Sequence, residues 1–287
     1  MKGIVLSGIG IKNRCDKLIQ FMQSRYYMSD SFLLFDIEKK NKLNDHLLPF
    51  FKDNVLPRYW SNEDPISFNK GSRVYAYVND QQAPAVIEAA IEGGWHLAIL
   101  PHPEGRHAKR GFCAQNNLQK AIQDAEKSKP KKVDVLRCNG KILLCSLVLG
   151  ESFNLLPSAK SLNLLKRLKL AWRNIVKIRQ AYPQKLTFTT ANESCFTTAA
   201  LGVIVVDHAH SSWLSNHILP NSHINDGMCH SMIIAPRSVM ELLRFFISST
   251  LSRRYTLPKF LGLLKTKSLK ITKSRPLVYQ LDGVAQE

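Results

Sequence analysis

Five histidines, His208, His210, His217, His223 and His230, fall within 23 residues, in company with Asp207, Asp226 and Cys229. Imidazole and carboxylate at that density are the ligand types of a zinc or iron site. On an alternating strand His208 and His210 project from one face, so with Asp207 they form the nucleus of a candidate metal site. Their spacing matches no established ligand signature, and turn and surface histidines are the competing reading. Gly8-Ile9-Gly10 supplies two glycines of a dinucleotide fingerprint but lacks the third. The six cysteines contain no Cys-x-x-Cys pair, and Gly-x-Ser-x-Gly is absent, which removes zinc-finger, dithiol and serine-hydrolase signatures.

The charge is the second chemical feature. The chain of 287 residues carries a net +18. From Phe153 to Arg275 there are 18 Lys/Arg against four acids, a local balance of +14. Such a one-sided region implies an anionic partner. Its densest part, Lys160–Lys185, has eight basic residues and no acid, with Leu162, Leu165, Leu168, Trp172, Ile175 and Ile178 at helical steps. The pattern predicts a basic amphipathic helix near 160–182, offering Lys166, Arg167, Lys169, Arg173 and Lys177 to an anionic membrane surface. No stacking or DNA-reading motif accompanies this charge, which argues against nucleic acid.

The elements that must position these groups change character along the chain. Hydrophobic residues make up 45% and charged residues 22%, a globular composition. The longest near-continuous apolar run, Ala199–Val206, is far short of the roughly 20 residues that span a bilayer. With no secretory signal, reduced thiols and a cytoplasmic protein, peripheral at the inner membrane face, are expected. Strand-like segments at Lys2–Leu6, Phe32–Phe35, Arg73–Val78 and His96–Leu100 alternate with helical ones at Arg14–Gln23, Asp45–Asp53, Pro84–Ile91 and Gln115–Ala125. That alternation predicts an α/β N-terminal domain over residues 1–128, with a parallel sheet and crossover helices.

From residue 129 to 287 the pattern becomes that of an antiparallel β-rich, sandwich-like second domain. Lys132–Arg137 and Lys141–Leu149 flank Asn139-Gly140, the strongest short hairpin signal. Further strands are expected at Lys185–Thr190, Thr197–Val206, Met228–Ile234, Leu269–Thr272 and Leu277–Leu281, with a helix at Ser238–Phe246.

Several marks occur in a fixed order. They are Val133-Asp134-Val135 before Asn139-Gly140 and Leu149-Gly150, Asp226-Gly227-Met228 before an apolar strand, and strands closing in Leu281-Asp282-Gly283. In this order they resemble the diacylglycerol kinase and sphingosine kinase family, and bacterial lipid kinases in particular. The resemblance implies ATP and magnesium as cofactors and phosphoryl transfer to a diacylglycerol or sphingoid-type hydroxyl. It also implies Asp282 as the base and a cation near Asp226.

By the same resemblance two loops should bind the nucleotide. One contains Asn79, Asp80, Gln81, Gln82 and Ala83; the other contains His102, Glu104 and Gly105. The family's first loop is rich in glycine, which lets backbone N–H groups close on phosphate. Here Val78–Pro84 has no glycine, and Pro84 removes one N–H. The second loop lacks the family's Gly-Thr pair, and Glu104 repels phosphate. The expectation is a lipid kinase-like protein with phosphotransfer weakened or lost. The alternatives are a non-catalytic membrane- or lipid-binding, partner-recruiting module on the same fold, and a histidine-cluster metal protein.

Overall fold

A computed structural model describes residues 2–7, 31–35, 58–59, 68–112, 115–150, 183–207, 223–236, 238, 240–241, 259–273 and 278–286. The chain divides into two compact units, Met1–Lys132 with Asn139–Leu144, and Val133–Cys138 with Cys145–Glu287.

The first unit is built on a five-stranded sheet. Its strands are β1 (Lys2–Ser7), β2 (Ser31–Phe35), β3 (Arg58–Tyr59), β4 (Arg73–Tyr77) and β5 (His96–Ile99), in the order β3-β2-β1-β4-β5. Every pairing is parallel. Strand β4 lies inside the sheet, and Val74, Tyr75, Ala76 and Tyr77 are all buried, the continuous apolar run that a doubly covered parallel strand requires. The parallel sheet expected from the sequence is present; the two-residue β3 was not anticipated.

Three helices are described in this unit. Helix α1 (Ala83–Gly93) begins with Pro84 in its first turn, where the missing N–H costs nothing. It buries Ala83, Val86, Ile87 and Ala90, one stripe at helical spacing. Gly94 ends it in the left-handed region (φ 63°), its N–H directed at the carbonyls of Ala90 and Ile91. Trp95 then donates from Nε1 to the Phe68 carbonyl at 2.9 Å and packs edge-on to the Phe68 ring. Helix α2 (Arg106–Gly111) was not anticipated. Helix α3 (Leu118–Lys127) is capped by Asn117, which accepts from Lys120 N at 3.1 Å, and its last turn receives Arg73 Nη1 at the Glu126 carbonyl, 2.8 Å.

The second unit holds two antiparallel sheets. One has six strands in the order β13-β12-β11-β8-β15-β16: β8 (Ser146–Leu149), β11 (Gly202–Val206), β12 (Cys229–Ile234), β13 (Leu261–Thr266), β15 (Tyr279–Leu281) and β16 (Val284–Gln286). The other has three, β10 (Cys195–Ala200), β9 (Gln184–Thr190) and β14 (Leu269–Thr272), in the order β10-β9-β14. Strands β11 and β12 are buried along their whole length and form the apolar centre of the unit.

The expected strand Thr197–Val206 is therefore two strands in different sheets. The chain changes sheets at Leu201, whose N–H donates to the Ile234 carbonyl at 2.8 Å. Gly150, at φ 108°, passes so close that a Cβ there would stand 2.6 Å from the Leu201 carbonyl oxygen. Likewise Lys141–Leu149 is interrupted. It becomes β7 (Lys141–Ile142) and β8, separated by the buried Leu143, Leu144 and Cys145. The segment 129–136 carries no strand; only β6 (Arg137–Cys138) forms before the Asn139-Gly140 turn, whose φ values of 49° and 81° are those of a tight hairpin. The basic segment near 160–182 and most of the helix expected at Ser238–Phe246 lie outside the described residues, as do Arg14–Gln23 and Asp45–Asp53. Among the described residues no helix is long and apolar enough to cross a membrane.

Candidate functional site

In a parallel sheet of this kind the chain runs outward to one side through β1, β2 and β3, then returns to build the other side from β4. Ligands bind in such folds beyond the carboxyl ends of the strands, where the order reverses. Here that place is the end of β4, beside β1, with Leu6 opposite Tyr77 in register. The loop Val78–Gln82 leaves β4 at that point, and the loop Leu100–Gly105 leaves the neighbouring β5. The two loops expected to bind nucleotide are thus brought together.

The backbone donors of residues 80–83 and 104–108 have acceptors within these loops. Asn79, buried, accepts at Oδ1 from the N–H groups of Gln81 (3.1 Å) and Gln82 (3.0 Å), and its carbonyl accepts from Ala83 N at 3.0 Å. Asp80 N donates to the Glu104 carbonyl, 3.3 Å, which ties one loop to the other. The Asp80 carboxylate then accepts from three successive amides of α2, those of Arg106, His107 and Ala108, each at 2.9 Å. These are the donors that a helix start leaves without an intrahelical partner, and an anion is the acceptor they favour.

The second loop is closed in the same way. His102 is buried and lies edge-on to Tyr77, with ring centroids 4.7 Å apart. Its Nδ1 accepts from Glu104 N at 3.0 Å, and its carbonyl accepts from Gly105 N at 3.1 Å. Gly105 is required by contact: a Cβ would stand 2.7 Å from the Val78 carbonyl oxygen and 3.0 Å from His102 Cβ. Gln81 and Glu104 are on the outside of this closed pair of loops.

Asp282 and Asp226 belong to the second unit. Asp282 and Gly283 are the two turn residues between β15 and β16, with φ values of 49° and 83°. Asp282 N donates to the Ser146 carbonyl (2.9 Å), while its Oδ1 accepts from Cys145 N (2.7 Å) and Ser146 N (3.0 Å). Its carboxylate thus pins the last hairpin to the start of β8.

Asp226 has its own set of partners. Oδ1 accepts from Met228 N at 3.0 Å; Oδ2 meets Lys265 Nζ at 2.8 Å and His230 Nε2 at 3.2 Å. His230 and Lys265 face each other across β12 and β13, which is why one carboxylate reaches both. Burial pushes the Asp226 carboxyl up, but the hydrogen bond from Lys265, the charge of His230 and the Met228 amide together hold it below its ordinary value. Asp134 completes the turn by accepting from Gly227 N. Lys265 does not stand out in the sequence, where its only signal is register; Asp134 does, within Val133-Asp134-Val135, though not as a partner of this turn.

His208 and His210, and likewise Lys166, Arg167, Lys169, Arg173 and Lys177, lie outside the described residues. Among the described residues no group of three or more His, Cys, Asp or Glu is placed to hold a metal ion.

No family model matches the chain. No curated protein matches it either. Solved structures do. One is a candidate diacylglycerol kinase from Bacillus anthracis str. Sterne, with a TM-score of 0.59 and 14% identity, covering 99% of this chain and 92% of that one. The chain has a diacylglycerol-kinase-like fold. A second structure from the same organism, described as a diacylglycerol kinase, gives a TM-score of 0.57 and 16% identity, covering 98% of this chain and 88% of that one. A third gives 0.54 and 14%, covering 98% and 89%.

Two predictions follow from the hydrogen bonds. Replacing Asp80 by Ala strips three helix-start amides of their acceptor and should destabilise the protein by about 1–2 kcal/mol in urea unfolding; a change below about 0.3 kcal/mol would contradict the capping role. For Asp226, a carboxyl held below its unfolded value contributes stability that is present above that value and is lost as pH falls through the folded one. Acid unfolding below about pH 4 should therefore be shallower in Asp226→Asn than in the wild type, and identical acid limbs would contradict the ion-pair assignment.

Proposed function

We propose that this protein is a lipid kinase-like protein in which phosphoryl transfer from ATP to a diacylglycerol or sphingoid-type hydroxyl is weak or lost. The observation that carries the reading is the Asp80 carboxylate, bonded to the amides of Arg106, His107 and Ala108. A phosphate cradle works because backbone N–H groups are open to the ligand. In these two loops the donors of residues 80–83 and 104–108 accounted for above already have acceptors within the protein, and Pro84 has none to give. A carboxylate fixed among those donors also repels a second anion. The residues present do not fit the triphosphate of ATP with its magnesium, so no catalytic step is derived through it.

The role proposed for Asp282 is limited by the same reasoning. A general base must reach the hydroxyl whose proton it takes. One of its two oxygens, Oδ1, is held by two backbone amides, which suits a turn anchor. The fold is retained while the phosphate chemistry is withdrawn, and this supports the reading of the protein as a binding module over a turning-over kinase.

Thermal unfolding with and without ATP and magnesium tests this. A ligand at about 100 times its dissociation constant adds roughly 2.7 kcal/mol, which for a domain of 150–250 residues raises the midpoint by roughly 5–10 °C. The expected result is no shift up to millimolar ATP. A shift of that size would overturn the reading and return the chain to the active kinases.

A further inference from the structure

The three-stranded sheet of the second unit has two unlike faces. The inner one carries Leu186, Phe188 and Ala200, all buried, and Phe196 stacks on Phe188 with ring centroids 5.0 Å apart. The opposite face follows from the register. Thr187 stands between Thr197 and Thr272, and Thr189 stands beside Lys270. Lys185 shares this face because it lies an even number of residues from both threonines. Thr187 and Thr197 join hydroxyls at 2.9 Å across the strands. Lys185, Thr197, Lys270 and Thr272 are exposed. The remaining positions on this face, Cys195 and Ala199, are small.

We infer that this outer face, Lys185, Thr187, Thr189, Thr197, Lys270 and Thr272, is a docking surface for an anionic lipid bilayer. Charge complementarity carries the inference: the face has two lysines, a lawn of hydroxyls and no carboxylate. In the sequence the acid nearest these strands is Glu193, in the β9–β10 turn beyond Thr190; Lys267 precedes β14 at that end and Lys273 follows it at the other. Hydroxyls and ammonium groups together match lipid phosphate oxygens. The face carries no large apolar side chain to insert into a membrane, so contact is at headgroup level. It also carries no arginine and no aromatic ring, the groups that stack on bases, which sets nucleic acid aside. The inference does not depend on the fate of the phosphate loops.

The full chain is sedimented with vesicles of phosphatidylcholine alone and with vesicles containing 30% phosphatidylglycerol, at roughly 0.1 M salt. Binding to the anionic vesicles only is expected. Each juxtamembrane lysine is worth about a factor of five, so Lys185→Gln/Lys270→Gln should weaken binding by about 25-fold. The charge-matched control Lys129→Gln/Lys131→Gln changes exposed lysines of the first unit and should weaken it far less. Both variants are checked for an unchanged unfolding midpoint. Equal losses in the two variants would overturn the assignment in favour of net charge alone. Absence of vesicle binding, with or without binding to a DNA duplex, would overturn it outright. An ATP-induced thermal shift would bear on the kinase reading and leave this result intact.

Discussion

One carboxylate fixes the character of the first unit. The amides at the start of α2 must have an acceptor, because a helix cannot supply one to its own first turn. In this chain the acceptor is Asp80, which arrives from the loop after the neighbouring strand. That choice sets the rest. It pulls the two loops into contact, and it requires Gly105, since a side chain there would collide with the Val78 carbonyl. It also leaves His102 to close the second loop from within. The donors that a helix start offers to an anion are taken here by a carboxylate of the chain itself.

The second unit repeats this economy of acceptors. Asp282 and Asp226, both at turns before or between strands, accept from backbone amides at Oδ1, and Asp226 Oδ2 also meets the cross-strand pair Lys265 and His230. Lys265 is half exposed, so its pair with Asp226 is weakened by solvent and salt. His230 is buried beside the same carboxylate and is shielded from both. The polar residues that resemble a kinase's working groups are thus employed in holding hairpins and strand ends in register.

How far the sequence discloses this depends on the range of the interaction. Strand β4 and helix α1 are legible because their apolar spacing is local: Val74–Tyr77 is a continuous run, and Val86, Ile87 and Ala90 form one stripe. Helix α2 is not legible, since Arg106–Gly111 has no apolar period and its cap stands 26 residues earlier in the chain. The division of β10 from β11 at Leu201 is marked locally only by Gly202, and the apolar run Ala199–Val206 otherwise reads as one strand. Asp282-Gly283 reads as a turn at once, yet its anchoring amides at Cys145 and Ser146 are 137 and 136 residues away. The absence of glycine from Val78–Pro84 is visible; the Asp80 carboxylate on the amides of Arg106, His107 and Ala108 is not.

Amide hydrogen exchange at Arg106, His107 and Ala108 tests the central claim most directly. The account predicts that these amides are protected in the protein alone, that ATP and magnesium leave their protection unchanged, and that Asp80→Ala abolishes it. Rapid exchange in the wild type, slowed on addition of ATP and magnesium, would show that the donors await a phosphate and would contradict the account.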